Sequence, residues 1–240
     1  MLLSGKSVLV TGASAGIGRA TVVALAQAGM KVIATGRRQA QLDRLKRECS
    51  KHPGSVETVA GDLNDARFAA ELASAAREVE IFVNNAGVLK YAPLLDTNDA
   101  DTEDMFRTNV LAAFRVMRAV AKSMVERKRG HIIVMSSIAA REVYALGGIY
   151  CATKHALSAI TRSLRLELGG HGIKVSEIAP GMVDTEIRNS TDHPAALAAF
   201  KARKYLPISA EDVAEAVVYA AQASHNNCPD LIELRPRAPA

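Results

Sequence analysis

Three side chains that could carry acid–base chemistry lie in the second half of the chain: Ser137, Tyr150 and Lys154. Tyr150 and Lys154 are four residues apart in a segment with helical spacing, so they are predicted to lie one turn apart on one helix face. A free phenol has a pKa of about 10 and exchanges protons poorly at neutral pH. A neighbouring ammonium favours the phenolate and is expected to lower that pKa. Ser137 ends a predicted strand, at the sheet edge where a substrate carbonyl would lie.

A glycine-rich segment near the N-terminus predicts a phosphate-binding turn. Residues 11–18 read TGASAGIG between a β-branched run and a helical pattern. Glycines at such a turn let the backbone approach a pyrophosphate, and the following helix N-terminus supplies N–H donors. A tight turn without a ligand is the alternative, but the position in the first βα unit favours a dinucleotide cofactor. The predicted contacts are Gly12, Ser14, Ala15, Gly16, Ile17 and Gly18.

The residues after the second predicted strand favour NADP over NAD. An acidic residue there would bind the ribose 2′-hydroxyl of NAD, but this chain has Arg37 and Arg38 instead. Guanidinium groups bind phosphate in a planar, bidentate manner, which predicts that both arginines hold a 2′-phosphate. A surface arginine pair at the start of a helix is the alternative interpretation. Asp62 and Leu63, after the third strand, are predicted to meet the adenine ring.

An alternating series of strands and helices must position these residues. Short apolar runs alternate with helical patterns along residues 1–240, which predicts a single α/β domain with the Rossmann fold. We expect a doubly wound, seven-stranded parallel sheet with helices on both faces and ligands beyond the carboxyl ends of the strands. The pattern from Thr102 to Arg127 predicts one long helix. The long segment 182–206, which contains Arg203 and Lys204, predicts a substrate lid.

Composition limits the class of protein. The chain has 30 Lys and Arg against 25 Asp and Glu, and this excess suggests a nucleic-acid-binding module as a rival. Aromatic residues make up only 4% and Trp is absent, which leaves little for base stacking, so we expect no nucleic-acid partner. The three cysteines are far apart and show no metal spacing, so we expect reduced thiols and no metal. No apolar run approaches the roughly 18 residues of a membrane span, and we expect a cytoplasmic protein without a membrane partner.

Taken together, the motifs resemble the short-chain dehydrogenase/reductase family. The matching pieces run in family order from about residue 7 to residue 185: TGASAGIG, NNAG, Asn109, Ser137, YCATK and the Pro180–Gly181 pair. The resemblance implies a catalytic tetrad of Asn109, Ser137, Tyr150 and Lys154. In such enzymes Tyr is the general acid/base and Ser holds the substrate oxygen. Lys binds the nicotinamide ribose and tunes Tyr, while Asn supports a water chain that relays the proton.

The resemblance also implies further cofactor contacts and shows two departures from the family pattern. In addition to Tyr150 and Lys154, the implied contacts are Asn85, Ala86, Gly87, Pro180, Gly181, Val183 and Thr185, the last of which would hold the carboxamide. The side chains of Asn84 and Asn85 could equally bridge neighbouring strands. Ala15 stands where many NADP-binding members carry a basic residue, which shifts 2′-phosphate recognition to the two arginines. The C-terminal residues 232–236 look like the hydroxy-acid and small-aldehyde reductase branch.

These observations predict an NADP(H)-dependent oxidoreductase that moves a hydride between the nicotinamide and a small carbonyl or alcohol substrate. The resemblance implies a homo-oligomer, either a tetramer or a dimer. A catalytically idle, NADP-sensing regulatory protein on the same fold is the alternative, and the intact tetrad argues against it. An epimerase or dehydratase of the family's extended relatives would need a larger C-terminal substrate domain.

Substrate recognition is expected in the loops at 90–94, 139–145 and 182–206. The predicted contacts are Ser137, Arg141, Tyr144 and Arg188. Arg141 and Arg188 could converge on one mouth and clamp a carboxylate, which would orient a hydroxy or keto acid. The alternative is that both arginines are solvated surface residues.

Overall fold

The computed structural model of the protein describes residues 3–202 and 206–237. Its centre is a sheet of seven parallel strands in the order β3-β2-β1-β4-β5-β6-β7. The strands are β1 (Ser7–Thr11), β2 (Lys31–Gly36), β3 (Ser55–Ala60), β4 (Ile81–Asn84), β5 (Gly130–Met135), β6 (Ile173–Pro180) and β7 (Leu231–Leu234). The strand order reverses between β1 and β4, which confirms the predicted doubly wound sheet.

Helices connect the strands and cover both faces of the sheet. They are α1 (Gly16–Gln27), α2 (Gln39–Cys49), α3 (Ala66–Ala75), α4 (Asp99–Phe106), α5 (Ala113–Glu126), α6 (Gly148–Leu168), α7 (Pro194–Lys201) and α8 (Ala210–Gln222). The core on one face joins α1, α2 and α8, and the core on the other joins α3, α5 and α6. Within the described ranges, no helix is both long and apolar enough to cross a membrane.

The inner strands carry apolar residues on both faces because helices cover both faces of the sheet. In β1, Val8 and Val10 pack in the core with α1 and α8, whereas Leu9 packs in the opposite core with α3 and α5. All three are fully buried. Successive strand residues point to opposite faces, so a strand between two helical layers needs apolar residues at every position. This is the origin of the continuous apolar runs in the sequence.

The helix predicted from Thr102 to Arg127 is not a continuous α-helix. A π-helical turn (Arg107–Ala112) separates α4 from α5. Asn109 lies in this turn, where its side chain accepts a hydrogen bond from Val88 N at 2.8 Å and donates to Val88 O at 2.9 Å. The wider turn therefore carries a side chain that binds the backbone of the loop after β4. Such local widening does not change the apolar pattern, so the sequence did not reveal it.

The segment after β6 folds against the loop after β4. It contains a short 3₁₀ turn (Glu186–Ser190) and then α7. Ser190 Oγ donates to Leu89 O at 2.5 Å, and Tyr91 N donates to Thr191 Oγ1 at 3.3 Å. Residues 203–205 of the predicted lid, including Arg203 and Lys204, lie outside the described residues.

Candidate active site

The carboxyl ends of the strands open into a cavity of about 840 Å³. Its walls come from the loops after β1 to β6 and from the segment that follows β7. The sequence-predicted cofactor residues that line it are Gly12, Ser14, Ala15, Gly16, Ile17, Gly18, Arg37, Arg38, Asp62, Leu63, Asn85, Ala86, Gly87, Tyr150, Lys154, Pro180, Gly181, Val183 and Thr185. Ser137, Tyr144 and Arg188 also line the cavity, whereas Asn109 lies behind its wall and Arg141 lies outside it.

The glycine turn after β1 is packed too closely for side chains. A Cβ at Gly18 would lie 2.3 Å from Gly12 O, and one at Gly12 would lie 2.8 Å from Ala86 Cα. Gly12 also has a φ of +69°, a conformation that glycine adopts without strain. Asn85 Nδ2 donates to Thr11 O at 2.8 Å, so this side chain joins the loop after β4 to the end of β1.

The start of α1 fits a phosphate group. Ala15 is its N-cap residue, and its side chain makes no capping hydrogen bond with the first turn. The first N–H groups of a helix need partners, and together with the helix dipole they favour an anion. Gly16, Ile17 and Gly18 of this turn all line the cavity. The turn and the helix start therefore form a cradle that suits a pyrophosphate.

The end of β2 places positive charge at one end of the cavity. Arg37 and Arg38 both line it and are both exposed. Arg38 Nη1 forms an ion pair with Glu186 Oε2 at 3.0 Å, and its Nε donates to Ser14 Oγ at 3.4 Å. Exposed pairs of this kind are weak, so a phosphate group could compete for Arg38. The arrangement fits a cofactor with a 2′-phosphate.

The other end of the cavity holds Ser137, Tyr150 and Lys154, all of them buried. Lys154 Nζ lies 5.8 Å from the centre of the Tyr150 ring and donates to Met135 O at 3.1 Å. Ser137 Oγ donates to Pro180 O at 3.3 Å and shares a hydrogen bond with Tyr150. Helix α6 and the turn after β5 therefore bring two hydroxyl groups and an amine together.

Burial sets the protonation of this trio. Desolvation raises the pKa of Tyr150, nearby Tyr91 raises it further, and the hydrogen bond with Ser137 lowers it. Burial also lowers the pKa of Lys154 to about 8, while the charge of Glu177 raises it. In the protein chain alone, desolvation of the phenolate therefore keeps the pKa of Tyr150 raised. The predicted lowering by the ammonium together with an oxidised nicotinamide stays a prediction.

Asn109 supports the site from behind the cavity wall. Besides its two bonds to Val88, its Nδ2 donates to Thr153 Oγ1 at 3.1 Å. A Cβ at Gly87 would lie 3.2 Å from Asn109 Oδ1 and 3.9 Å from Lys154 Nζ, so Gly87 fits closely between these two side chains. The structure thus brings Asn109 next to the trio across the loop after β4.

The two-arginine clamp predicted from the sequence does not form. Arg141 Nη2 lies 3.1 Å from Oε2 of Glu177, whose side chain is only 1% exposed. A buried carboxylate needs a counter-ion, and this requirement turns Arg141 away from the cavity. Arg188 lines the cavity, where its Nη2 donates to Val183 O at 2.6 Å and its guanidinium lies 5.8 Å from the Phe200 ring.

An aromatic cluster that the sequence did not single out borders Tyr150. The ring of Tyr91 lies edge-on to Tyr150 at 6.0 Å and to Tyr144 at 5.9 Å. The hydroxyl groups of Tyr91 and Tyr144 are 2.7 Å apart, and Phe200 of α7 packs on Tyr91 at 5.4 Å. Tyr91 falls in the loop 90–94 expected to form the pocket, but no motif marked it.

The segment after β7 forms another unpredicted part of the wall. Arg235 and Pro236 line the cavity. Arg235 Nη2 lies 2.5 Å from Glu142 Oε1, and its Nε lies 2.6 Å from Glu233 Oε1. Two carboxylates thus offset its charge. The sequence carried no sign of this contact, because Glu142 and Arg235 are 93 residues apart.

Comparison with protein families matches residues 6–196 to the short chain dehydrogenase family. The chain belongs to the short-chain dehydrogenase/reductase family of oxidoreductases. This confirms the resemblance seen in the motifs. The match covers the cofactor cradle, the trio and most of the segment after β6.

Relatives and solved structures agree with this assignment. The chain is 41% identical over 186 residues to L-xylulose reductase of Mesocricetus auratus, covering 77% of this chain and 75% of that protein. It is 34% identical over 234 residues to NADP-dependent 3-hydroxy acid dehydrogenase of Schizosaccharomyces pombe, covering 93% and 90%. A structure of the closed form of serine dehydrogenase complexed with NADP+ matches with a TM-score of 0.87 and 33% identity, covering 95% and 94%.

Proposed function

We propose that this oxidoreductase is NADP(H)-dependent and moves a hydride between the nicotinamide and a small carbonyl or alcohol substrate, with Tyr150 as general acid/base. One observation carries the proposal. A single cavity joins a glycine cradle and two arginines at one end to Ser137, Tyr150 and Lys154 at the other. Cofactor binding and proton transfer therefore share one enclosed space.

The cofactor is assigned to residues that suit each of its parts. The glycine turn and the start of α1 would bind the pyrophosphate, and Arg37 and Arg38 would bind the 2′-phosphate. Lys154 would bind the nicotinamide ribose and Thr185 the carboxamide. When bound, the nicotinamide supplies or accepts the hydride. A related 3-hydroxy acid dehydrogenase is named as NADP-dependent, and a related serine dehydrogenase was solved with NADP+, which supports this choice.

The chain's own residues would handle the proton. Ser137 would hold the substrate oxygen by a hydrogen bond, next to the hydroxyl of Tyr150. Burial keeps Tyr150 protonated at neutral pH, which suits donation of its proton to the substrate oxygen during carbonyl reduction. The ammonium of Lys154 would stabilise the phenolate that remains, and a buried setting strengthens this interaction. In alcohol oxidation Tyr150 would take up the proton instead.

A catalytically idle NADP sensor is the competing function. Such a protein would need only the cofactor end of the cavity. Lys154 is 5% exposed, and burying a lysine beside a phenol is unfavourable without a purpose. This arrangement favours the enzyme. Consumption of NADPH with some member of a panel of aldehydes and ketones would support the enzyme, and no turnover with any of them would favour the sensor.

We further propose that residues 182–206 act as a lid over the substrate and that Arg188 binds an acidic group. Arg188 of this segment lies 5.8 Å from the ring of Phe200, also in the segment. Phe200 is 5.4 Å from Tyr91 of the loop after β4, and Tyr91 is 6.0 Å from Tyr150. This chain of ring contacts runs from Arg188 to the catalytic end of the cavity. An arginine that lines the same cavity as Tyr150 suits a carboxylate on a small hydroxy or keto acid.

Replacing Tyr150 with Phe tests the acid/base. The change removes the hydroxyl, so turnover of NADPH with a carbonyl substrate should fall by about 10²–10⁴-fold, while NADPH affinity should hardly change. Tyr219→Phe, at an exposed position of α8, is the matched control and should retain turnover. Near-normal turnover by the Tyr150 variant would contradict the proposed mechanism.

Arg37→Ala tests the choice of cofactor. Loss of a hydrogen bond to a charged group, worth roughly 1.5–3 kcal/mol, should weaken NADPH binding about 10–150-fold and leave NADH binding little changed. Fluorescence titration with both cofactors measures this. Arg44→Ala, on the exposed side of α2, serves as the control. If the affinities for NADPH and NADH fell equally, Arg37 would not be the residue that binds the 2′-phosphate.

The role of Arg188 is tested by comparing a short semialdehyde acid with its methyl ester. The wild type should prefer the acid, and Arg188→Ala should reduce the ratio of the two kcat/KM values about tenfold, since an ionic hydrogen bond is lost. Arg141→Ala is the control, because Arg141 lies outside the cavity and a general loss of activity cancels in the ratio. A wild type that accepts the ester as well as the acid would argue against a carboxylate site.

We also propose a homo-oligomer, either a dimer or a tetramer. Leu111 of the π-helical turn and Leu166 of α6 are 58% and 85% exposed. The segments Thr102–Arg127 and Ile149–Leu168, which contain them, resemble those that pair across two-fold axes in the family. Apolar side chains at such positions suit a symmetric interface. Light scattering at micromolar concentration should give a multiple of 25.5 kDa, and the mass of one chain would refute the proposal.

A further inference from the structure

A buried acidic residue lies beneath the helix that carries the catalytic pair. Glu177, in β6, is 1% exposed. Val175, two residues earlier on the same face of the strand, packs in the core that includes Leu157 of α6, so the Glu177 side chain faces this helix. Its Oε2 accepts a hydrogen bond from Ser158 Oγ at 3.1 Å. Ser158 is one helical turn beyond Lys154, which places the carboxylate on the Lys154 side of the sheet.

The carboxylate of Glu177 is only partly satisfied by hydrogen bonds. Oε2 also lies 3.1 Å from Arg141 Nη2, whereas Oε1 is buried and has no hydrogen-bond donor among the described residues. Burying a carboxylate is unfavourable, and an unpaired buried oxygen adds to that penalty. A well-packed apolar residue at this position would avoid both penalties. The presence of a carboxylate at position 177 therefore indicates a role other than stabilising the fold.

We propose that Glu177 is a positioning residue that keeps Lys154 in its ammonium form, and that Arg141 holds the Glu177 carboxylate in place for this task. The inference rests on the proposed function, in which the ammonium of Lys154 binds the nicotinamide ribose and stabilises the phenolate of Tyr150. This role of Arg141 also explains why the residue, in the turn after β5, pairs with Glu177 and does not line the cavity.

The electrostatics of Lys154 agree with this role. Burial lowers the pKa of Lys154 to about 8, and the negative charge of Glu177 is the influence that raises it. If the carboxylate were removed, the pKa would fall below this value. A large share of the lysine would then be neutral at physiological pH and could not bind the ribose as an ammonium. The ammonium form is populated below the pKa and is lost as the pH rises through it.

The groups around Lys154 come from several elements. On its own helix, Tyr150 is a phenol whose pKa is raised by burial. The π-helical turn contributes neutral Asn109, and β6 contributes Glu177, the one charged group in the described chain whose field shifts the pKa of Lys154. Arg141, from the turn after β5, contacts Glu177 rather than Lys154. Glu177 is therefore the anion that acts on Lys154 among these groups, and the Arg141 guanidinium bound to it offsets part of its charge.

The test is the pH dependence of NADPH binding, measured by fluorescence titration from about pH 6 to about pH 9.5. In the wild type, affinity should fall as the pH rises through the pKa of Lys154, about 8. Glu177→Gln keeps the shape of the side chain and a hydrogen-bond acceptor for Ser158 but removes the negative charge. The midpoint of the fall in NADPH affinity with pH should therefore move down by about one pH unit. At about pH 7.5 the ammonium fraction, and with it the affinity, should drop about threefold.

Three further variants make the result specific. Lys154→Met should remove this fall in affinity, which assigns the midpoint to Lys154. Any pH dependence that remains in this variant comes from other groups, such as the cofactor's own phosphate. Ser158→Ala removes the hydrogen bond to the carboxylate but leaves its charge, so its midpoint should match the wild type. A double variant, Glu177→Gln with Arg141→Gln, removes the buried ion pair as a whole and remains informative if the single variant does not fold. Its midpoint should also lie below that of the wild type.

The outcomes separate this inference from the proposed function. If the folded Glu177→Gln protein has the midpoint of the wild type, the role of Glu177 is overturned and the proposed function stands. The same conclusion applies to the double variant if the single variant does not fold. A downward shift shared by Ser158→Ala overturns the role of Glu177 too, since packing rather than charge would then be responsible. A wild-type protein that binds no NADPH at any pH overturns the proposed function and this inference with it.

Discussion

The close approach of the loops after β1 and β4 is the constraint on which the site depends. Thr11 Oγ1 accepts hydrogen bonds from Asn85 N at 3.0 Å and Ala86 N at 3.1 Å, and Asn85 Nδ2 returns a bond to Thr11 O at 2.8 Å. A Cβ at Gly18 would lie 2.5 Å from Asn85 Nδ2, so the helix start can reach this crossing only as glycine. The cavity opens where the strand order reverses because these contacts hold the two strand ends together.

Burial is the second constraint, and it determines the electrostatics of the end of the cavity that holds Ser137, Tyr150 and Lys154. Desolvation pushes both Tyr150 and Lys154 toward their neutral forms. A lysine that is to remain charged in such a place needs a nearby negative charge. Helix α6 packs against β6 on the side that faces the sheet, so this strand can supply that charge. On the inference above, Glu177 within β6 meets this need, and its burial in turn favours the ion pair with Arg141.

The sequence predicted the fold and most of the residues that line the cavity, but not every direction in which long side chains point. Strands covered on both faces must be apolar throughout, so runs such as Val8–Val10 revealed the alternating order without any structure. The glycine turn is local, so its spacing alone predicted a close turn between β1 and α1. In contrast, the contact between Tyr91 and Tyr144 joins positions 53 residues apart, and no pattern reports it. Arg141 was misplaced because sequence position fixes the loop but not the direction of a long side chain.

Local motifs indicate the family and its type of reaction, whereas contacts between residues far apart in the sequence shape the part of the cavity proposed to bind the substrate. The cradle and the trio are attached to strand ends and to helix starts, which the sheet fixes. The rest of the cavity wall, which the proposed function assigns to the substrate, is built from the segment after β6, the loop after β4 and the segment after β7. Two cations line this part of the cavity: Arg235, which pairs with Glu142 and Glu233, and Arg188, which lies in the segment after β6. On the proposed function, a change of substrate would therefore require changes in this segment and none in the sheet.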